Sequence, residues 1–180
     1  MKKIPEPDMA MKFMFFIHDN ALRRLMENPY KLLKNAGVEK GKKVLEIGCG
    51  TGFFTLPAAE IVGENGRVYA LDIHPLSIER IREKMEKFSL NNVVPVLSPA
   101  HDTGMQDECI DTAFLFGVVH RIDEYFYEVM KEMHRVLKKD GILSIKKSSL
   151  WGRKLKNALG NMFDYIEYRN GVHIFRKSER

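Results

Sequence analysis

Short apolar runs alternate with amphipathic stretches along most of this chain, and that alternation restricts its fold more than any single residue does. Residues 43–48 read as a buried strand and 51–61 as a helix. Further strands fall at 67–72, 93–97, 111–116 and 141–145, helices at 76–88 and 122–137, and one long loop at 100–108. Apolar strands need cover on both faces, so this repetition predicts a parallel sheet sandwiched between helices. The last segment departs from the pattern. Residues 163–169 and 172–176 flank Asn170-Gly171, and a two-residue type I′ turn needs positive φ twice, so the dipeptide predicts a hairpin and an antiparallel pair at the end of the sheet.

The 180 residues accommodate one domain over 1–180, with an N-terminal helical segment at 1–41 ahead of a core at 42–178. Leu22, Leu25, Met26, Leu32 and Leu33 recur at helical spacing between 19 and 35. Ahead of them Met9, Met11, Phe13, Met14, Phe15, Phe16 and Ile17 form a dense apolar cluster, which suits either a lid over a ligand or plain core packing. A composition of 44% hydrophobic and 29% charged residues excludes disorder. The 29 basic residues against 24 acidic give only +5, too small an excess to call for a nucleic-acid partner. The longest charge-free apolar run, 112–119, is far short of the roughly 20 residues of a membrane span. Pro5, Glu6, Pro7, Asp8 and Lys12 break up any signal peptide. Cys49 and Cys109 lack the spacing of a zinc site or a disulfide framework, so the expectation is a soluble, metal-free protein of the reducing cytoplasm.

The turn from first strand to first helix carries Gly48-Cys49-Gly50-Thr51-Gly52. Glycines there let the backbone turn sharply and approach a ligand, and the helix that follows presents free N–H groups and a positive dipole end. The position matters, because open α/β sheets bind ligands beyond the carboxyl ends of their strands. Two acids frame the loop. Glu46 interrupts an apolar strand, where a carboxylate is costly unless it meets a cationic ligand group or hydrogen-bonds to neighbouring backbone. Asp72 ends the second strand, where an acid can accept both hydroxyls of a ribose. A dinucleotide fingerprint would need G-x-G-x-x-G, but its third glycine position is Phe53, and the terminal hairpin replaces the parallel strands which that fold would continue.

Taken in order, residues 44–52 (VLEIGCGTG), 68–73 (VYALDI), 109–116 (CIDTAFLF) and 137–142 (LKKDGI) resemble the class I S-adenosylmethionine-dependent methyltransferases. The likeness spans 27–178 and is strongest to the small-molecule branch that includes the ubiquinone and menaquinone biosynthesis methyltransferases. It implies an α/β fold, a Rossmann-like doubly wound seven-stranded sheet of order 3-2-1-4-5-7-6 with strand 7 antiparallel, in three α/β/α layers. It implies S-adenosylmethionine as cofactor, S-adenosylhomocysteine as product and a small-molecule methyl acceptor. It also implies roles: Gly48, Gly50 and Gly52 beside the methionine part of the cofactor, Glu46 near its amino end and Asp72 on the ribose diol. Cys49, Thr51 and Ile73 join the same site, the backbone of Ala100 and His101 meets the adenine, and backbone around Phe116 lines the methionine side.

One position departs from the family pattern. Relatives often carry an Asp that accepts from the adenine amino group where this chain has Pro99, which leaves Asp102 or the backbone of Ala100 and His101 to serve. Methyl transfer is an in-line displacement that chiefly needs alignment and exclusion of water. A general base enters only if the acceptor must lose a proton. His120 occupies the loop that in relatives faces the transferable methyl, and an ordinary pKa of about 6.5 suits that role; a histidine that only caps or packs at a helix start is the plainer reading. His18 and His101 read as surface or loop residues. Asn28-Pro29-Tyr30 is similar to the motif of DNA adenine methyltransferases, but it precedes the glycine loop and lacks the second proline. The basic groups Arg23-Arg24, Lys138-Lys139, Lys146-Lys147 and Arg153, Lys154, Lys156 read as solvated surface. The expected function is that of a cytoplasmic enzyme, an S-adenosylmethionine-dependent methyltransferase acting on a small molecule by in-line methyl transfer; the alternative is a non-catalytic module that binds S-adenosylmethionine or a nucleoside on the same fold.

Overall fold

The computed structural model describes residues 27–118 and 123–179. Helix α1 (Pro29–Asn35) begins where the Asn28 side chain accepts the Lys31 N–H at 3.1 Å, with Pro29 at a position where a missing N–H costs nothing. Asn28-Pro29-Tyr30 is therefore a helix start, and the Tyr30 hydroxyl donates to Glu60 at 2.6 Å. There follow β1 (Lys43–Ile47), α2 (Thr55–Val62), β2 (Arg67–Asp72), α3 (Pro75–Lys87), β3 (Val93–Leu97), β4 (Ile110–Phe116), α4 (Phe126–Val136), β5 (Leu137–Lys146) and α5 (Gly152–Leu159). The hairpin β6 (Phe163–Arg169) and β7 (Val172–Lys177) ends the sheet.

The strand order is β3-β2-β1-β4-β5-β7-β6. Neighbours from β3 to β5 are parallel, and β7 runs antiparallel to both β5 and β6. That is the order the family resemblance implies. Asn170 and Gly171 take φ of 48° and 90°, as the hairpin reading requires. Pro95, which cannot donate to a ladder, sits on the edge strand β3, where proline is tolerated.

Side chains alternate across a strand, so each central strand feeds two cores. Val44, Phe114, Phe116 and Val172 pack with Leu33, Phe54, Ala58, Val62, Ile78 and Ile81 on the side of α1, α2 and α3. Leu45, Ile47, Leu115, Ile145 and Phe175 pack with Met130, Met133, Leu155 and Leu159 on the side of α4 and α5. Of the segment 1–41, Leu32, Leu33, Ala36 and Val38 are buried in the first core. The Met- and Phe-rich cluster at 9–17, His18, Arg23-Arg24 and the helical pattern at 19–26 lie outside the described residues, as does His120.

Two element starts and one whole helix differ from expectation. Helix α2 starts at Thr55 rather than 51, because Gly50 and Gly52 hold positive φ and stop the helix from reaching back into the loop. Strand β5 starts at Leu137 rather than 141: the register against β4 jumps from Leu137 to Ile142, and Asp140 turns the intervening residues at φ 58°. Helix α5 was not anticipated. Its apolar signal is only Leu155 and Leu159, both buried, between glycines and lysines. Among the described residues no helix is long and apolar enough to cross a membrane.

Candidate functional site

The glycine loop lies at the carboxyl edge of β1, where β2 and α3 converge on it. Both the Gly48 and Cys49 N–H groups donate to the Leu71 carbonyl of β2, at 2.8 and 2.9 Å. The Asp72 carboxylate reaches across from the end of β2, one oxygen accepting the Gly50 N–H and the other the His74 N–H, each at 2.9 Å. From α3, the Lys84 ammonium donates to the Thr51 carbonyl at 2.7 Å. Asp72 is therefore no solvated strand end: it braces the loop while each oxygen keeps lone-pair capacity for a further donor.

Two glycines have reasons of their own. A Cβ at Gly48 would lie 2.2 Å from Val118 Cγ1, so the segment after β4 packs directly on the loop. At Gly50, φ is 53° and an added Cβ would meet nothing within 4 Å among the described residues, so on their side the loop presents an open backbone face. Beneath lies an aromatic floor in which Phe54 packs edge-on to Phe53 at 4.8 Å and to Phe116 at 5.0 Å between ring centroids. Phe53, which broke the dinucleotide pattern, is thus a core residue, and Phe116 buries its ring and leaves only backbone for the site.

Glu46 faces the α2 side and is 2% exposed. It accepts from the Thr55 hydroxyl at 2.5 Å, a side-chain partner where the sequence offered a cationic ligand group or neighbouring backbone. Burial pushes its carboxyl up to about 8, with the Thr55 hydrogen bond opposing the rise and the Asp72 charge adding to it. Burial also raises the Cys49 thiol, with Glu46 and Asp72 adding, so Cys49 is held neutral. Cys109 precedes β4 at the opposite edge of the sheet, which separates the two thiols.

The adenine-side candidates assemble next to Asp72. Ile73 is 63% exposed, an apolar side chain set beside the carboxylate. The Ser98 N–H donates to the Asp72 carbonyl at 3.1 Å, which brings the loop after β3 against it. Within that loop Ser98 Oγ donates to the Asp102 carbonyl at 2.6 Å and the Asp102 N–H to the Pro99 carbonyl at 3.1 Å, a closed turn that presents Ala100 and His101. The His101 ring stacks on Tyr125 at 5.5 Å. His101 is thus a loop residue, as read, but one placed beside the candidate site.

Sequence reasoning missed the residue that pins this loop. Glu132 of α4, 8% exposed, accepts from the Thr103 N–H and hydroxyl at 2.8 and 2.6 Å and from two nitrogens of Arg135. Arg135 donates in turn to the Met105 carbonyl at 2.8 Å and to Asp107 at 2.6 Å. Burial alone would raise the Glu132 carboxyl, but the hydrogen bonds from Arg135 and Thr103 outweigh it and hold it at about 2. The one legible signal was an acid on the apolar face of an amphipathic helix. Glu132→Ala is expected to destabilise the fold by about 2 kcal/mol, since it leaves the buried Thr103 N–H and hydroxyl without their acceptor, while Arg135 keeps Asp107 and the Met105 carbonyl. Because the shift is downward, that contribution is complete above the ordinary carboxyl pKa and fades as pH falls toward 2. Urea unfolding of both proteins at pH 7 and pH 2.5 measures it, and an equal difference at the two pH values would refute the assignment.

The sheet order, the antiparallel seventh strand and a glycine loop faced by a strand-end acid define a nucleotide-type cofactor site of the Rossmann-like class. A methyltransferase-domain family matches residues 38–171. The chain belongs to this family and has the fold of the class I S-adenosylmethionine-dependent methyltransferases. It is 32% identical over 122 residues to a demethylmenaquinone methyltransferase of Geobacillus stearothermophilus, covering 68% of this chain and 52% of the relative. It is 37% identical over 105 residues to a protein of Sulfolobus acidocaldarius described as a probable cobalt-precorrin-6B C(15)-methyltransferase (decarboxylating), covering 57% of this chain and 54% of the relative. The chain spans about half the length of these curated relatives. A solved methyltransferase structure from Aquifex aeolicus superposes with a TM-score of 0.77 at 24% identity, covering 92% of this chain and 96% of the other, and so shares the fold.

Proposed function

We propose that this chain binds S-adenosylmethionine at the Gly48–Gly52 loop and transfers its methyl group to a small-molecule acceptor. The observation that carries the reading is Asp72, whose carboxylate braces Gly50 and His74 and still keeps a lone pair on each oxygen for the two ribose hydroxyls. The other residues fit the same ligand. The open face at Gly50 leaves room for the methionine part, and Glu46, protonated at neutral pH when alone, would ionise beside a cationic amino group. Ile73 supplies an apolar face, and the backbone of Ala100 and His101 supplies the polar contacts that Pro99 cannot make with a side chain. Backbone at Phe116 borders the methionine side, with Cys49 and Thr51 completing the loop.

When bound, the cofactor supplies an electrophilic methyl on a sulfonium sulfur, so the protein's part is to align the acceptor and exclude water. His120, which lies outside the described residues, is the proposed base for an acceptor that must lose a proton. Demethylmenaquinone and a cobalt-precorrin, named for the two relatives, are both small molecules, which supports an acceptor of that size.

The test uses the full chain. S-adenosylhomocysteine at about 100 times its Kd should raise stability by about 2.7 kcal/mol while NAD does nothing. Labelled S-adenosylmethionine with a cell extract should put label into the small-molecule fraction. No response to either adenosyl ligand sinks the reading, and binding without any transfer identifies a cofactor-binding module instead.

A further inference from the structure

A second feature of the carboxyl edge lies beyond the cofactor loop. An open cleft of about 290 Å³ runs from Gly117, the residue after β4, to the tip of the β6–β7 hairpin, and is lined by Gly117, Lys146, Lys147, Ser148, Tyr168 and Gly171. It starts one residue beyond Phe116, so a molecule in it would lie next to the proposed methionine side of the cofactor. The hairpin tip reaches this edge because β6 runs in the direction of β5, and the Lys147 N–H donates to the Gly171 carbonyl at 3.2 Å, tying the tip to the end of β5.

The lining has a definite chemistry. Lys146 pairs with Glu27, so its charge is balanced within the protein. Lys147 is different: its ammonium lies 4.4 Å from the centre of the Trp151 ring, and among the described residues it has no carboxylate partner. An aromatic face steadies a cation without neutralising it. The lining also includes a flat ring, Tyr168, packed on a fixed neighbour. Tyr168 packs on His173 with centroids 4.7 Å apart, and His173, 1% exposed, is fixed by a 3.0 Å hydrogen bond from Nε2 to the Ser148 carbonyl. Among the described residues an added Cβ at Gly117 or Gly171 would meet nothing within 4 Å.

We infer that this cleft is the acceptor site and that it selects a planar ring bearing an anionic oxygen group, the ring lying on Tyr168 and the anion on Lys147. Only its designation as the acceptor's place rests on the methyl-transfer reading; the selectivity rests on the cleft itself. Pairing an anion with an uncompensated ammonium is worth about tenfold or more in affinity. The probes are 2-naphthoate and its neutral isostere 2-naphthamide, titrated calorimetrically into the full chain with and without saturating S-adenosylhomocysteine. Naphthoate should bind about tenfold more tightly than naphthamide. Lys147→Gln should erase that preference and leave naphthamide unchanged. Lys154→Gln removes the other ammonium over Trp151, which lies outside the cleft, and should change neither ligand. Tyr168→Ala should weaken both, and should that variant not fold, the Lys147→Gln comparison decides alone. Equal affinities in the wild type, no binding of either probe, or a preference that survives Lys147→Gln overturns the proposal. The S-adenosylhomocysteine titration on the same samples keeps the two readings apart. No cofactor binding with the naphthoate preference intact would remove the methyl-transfer reading and leave the cleft, whereas cofactor binding without the preference would remove the cleft alone.

Discussion

Asp72→Ala is expected to weaken S-adenosylhomocysteine binding by more than about a hundredfold, since hydrogen bonds to a charged acceptor contribute about 1.5–3 kcal/mol each and the proposal gives Asp72 two of them. A second loss adds to the first. The Gly50 and His74 N–H groups lose the acceptor that now holds them at 2.9 Å, so the loop loses its brace from β2 as well as its ligand contact. Asp72→Asn separates these contributions: its side-chain oxygen can still accept from one N–H, so it should fall between wild type and Asp72→Ala. Calorimetric titration of the three proteins, each checked for its unfolding temperature, measures this. Wild-type affinity in Asp72→Ala would rule out the ribose assignment.

The pH dependence of stability should be dominated at neutral pH by Glu46. Its carboxyl is ordinary in the unfolded chain and raised to about 8 in the fold, so between the two values the folded state holds a proton that the unfolded state has lost. Stability from this group is therefore undiminished below the unfolded pKa and is lost progressively as pH rises toward 8, flattening above it. Glu46→Gln removes the titration and keeps an oxygen for the Thr55 hydroxyl. The stability of Glu46→Gln relative to wild type should climb by several kcal/mol between pH 5 and pH 8, read by urea unfolding. A gap that stays constant across that range would mean that Glu46 does not carry the proton. With the cofactor's amino group beside it, Glu46 should ionise, so S-adenosylhomocysteine binding at pH 7 should release a proton, detectable by calorimetry in buffers of different ionisation heat.

Much of the site was legible because it is local. Gly48 to Gly52 are adjacent in sequence, Glu46 and Asp72 sit at fixed offsets on their strands, and the hairpin turn is written in two residues. What escaped the sequence was of another kind. Glu132 and Thr103 are 29 positions apart and meet only because α4 packs against the loop after β3. Lys146 and Lys147 read as solvated surface, yet one is paired with Glu27 and the other lies on Trp151, contacts that no spacing announces. Phe53 carried a meaning in the sequence only as a missing glycine, and in the fold it is an aromatic packed under the loop.

By itself the sequence determined the alternation of strands and helices, the antiparallel end of the sheet and the glycine loop, because backbone conformation and side-chain periodicity are settled within a few residues. The tertiary structure decided the electrostatics and the cleft beyond the glycine loop. Burial makes Glu46 a weak acid, Asp72 becomes a brace by reaching Gly50 across the strand ends, and the hairpin tip comes beside the end of β4 to complete a cleft. Desolvation and long-range contact depend on which distant residues share a volume, and only the folded chain brings those residues together.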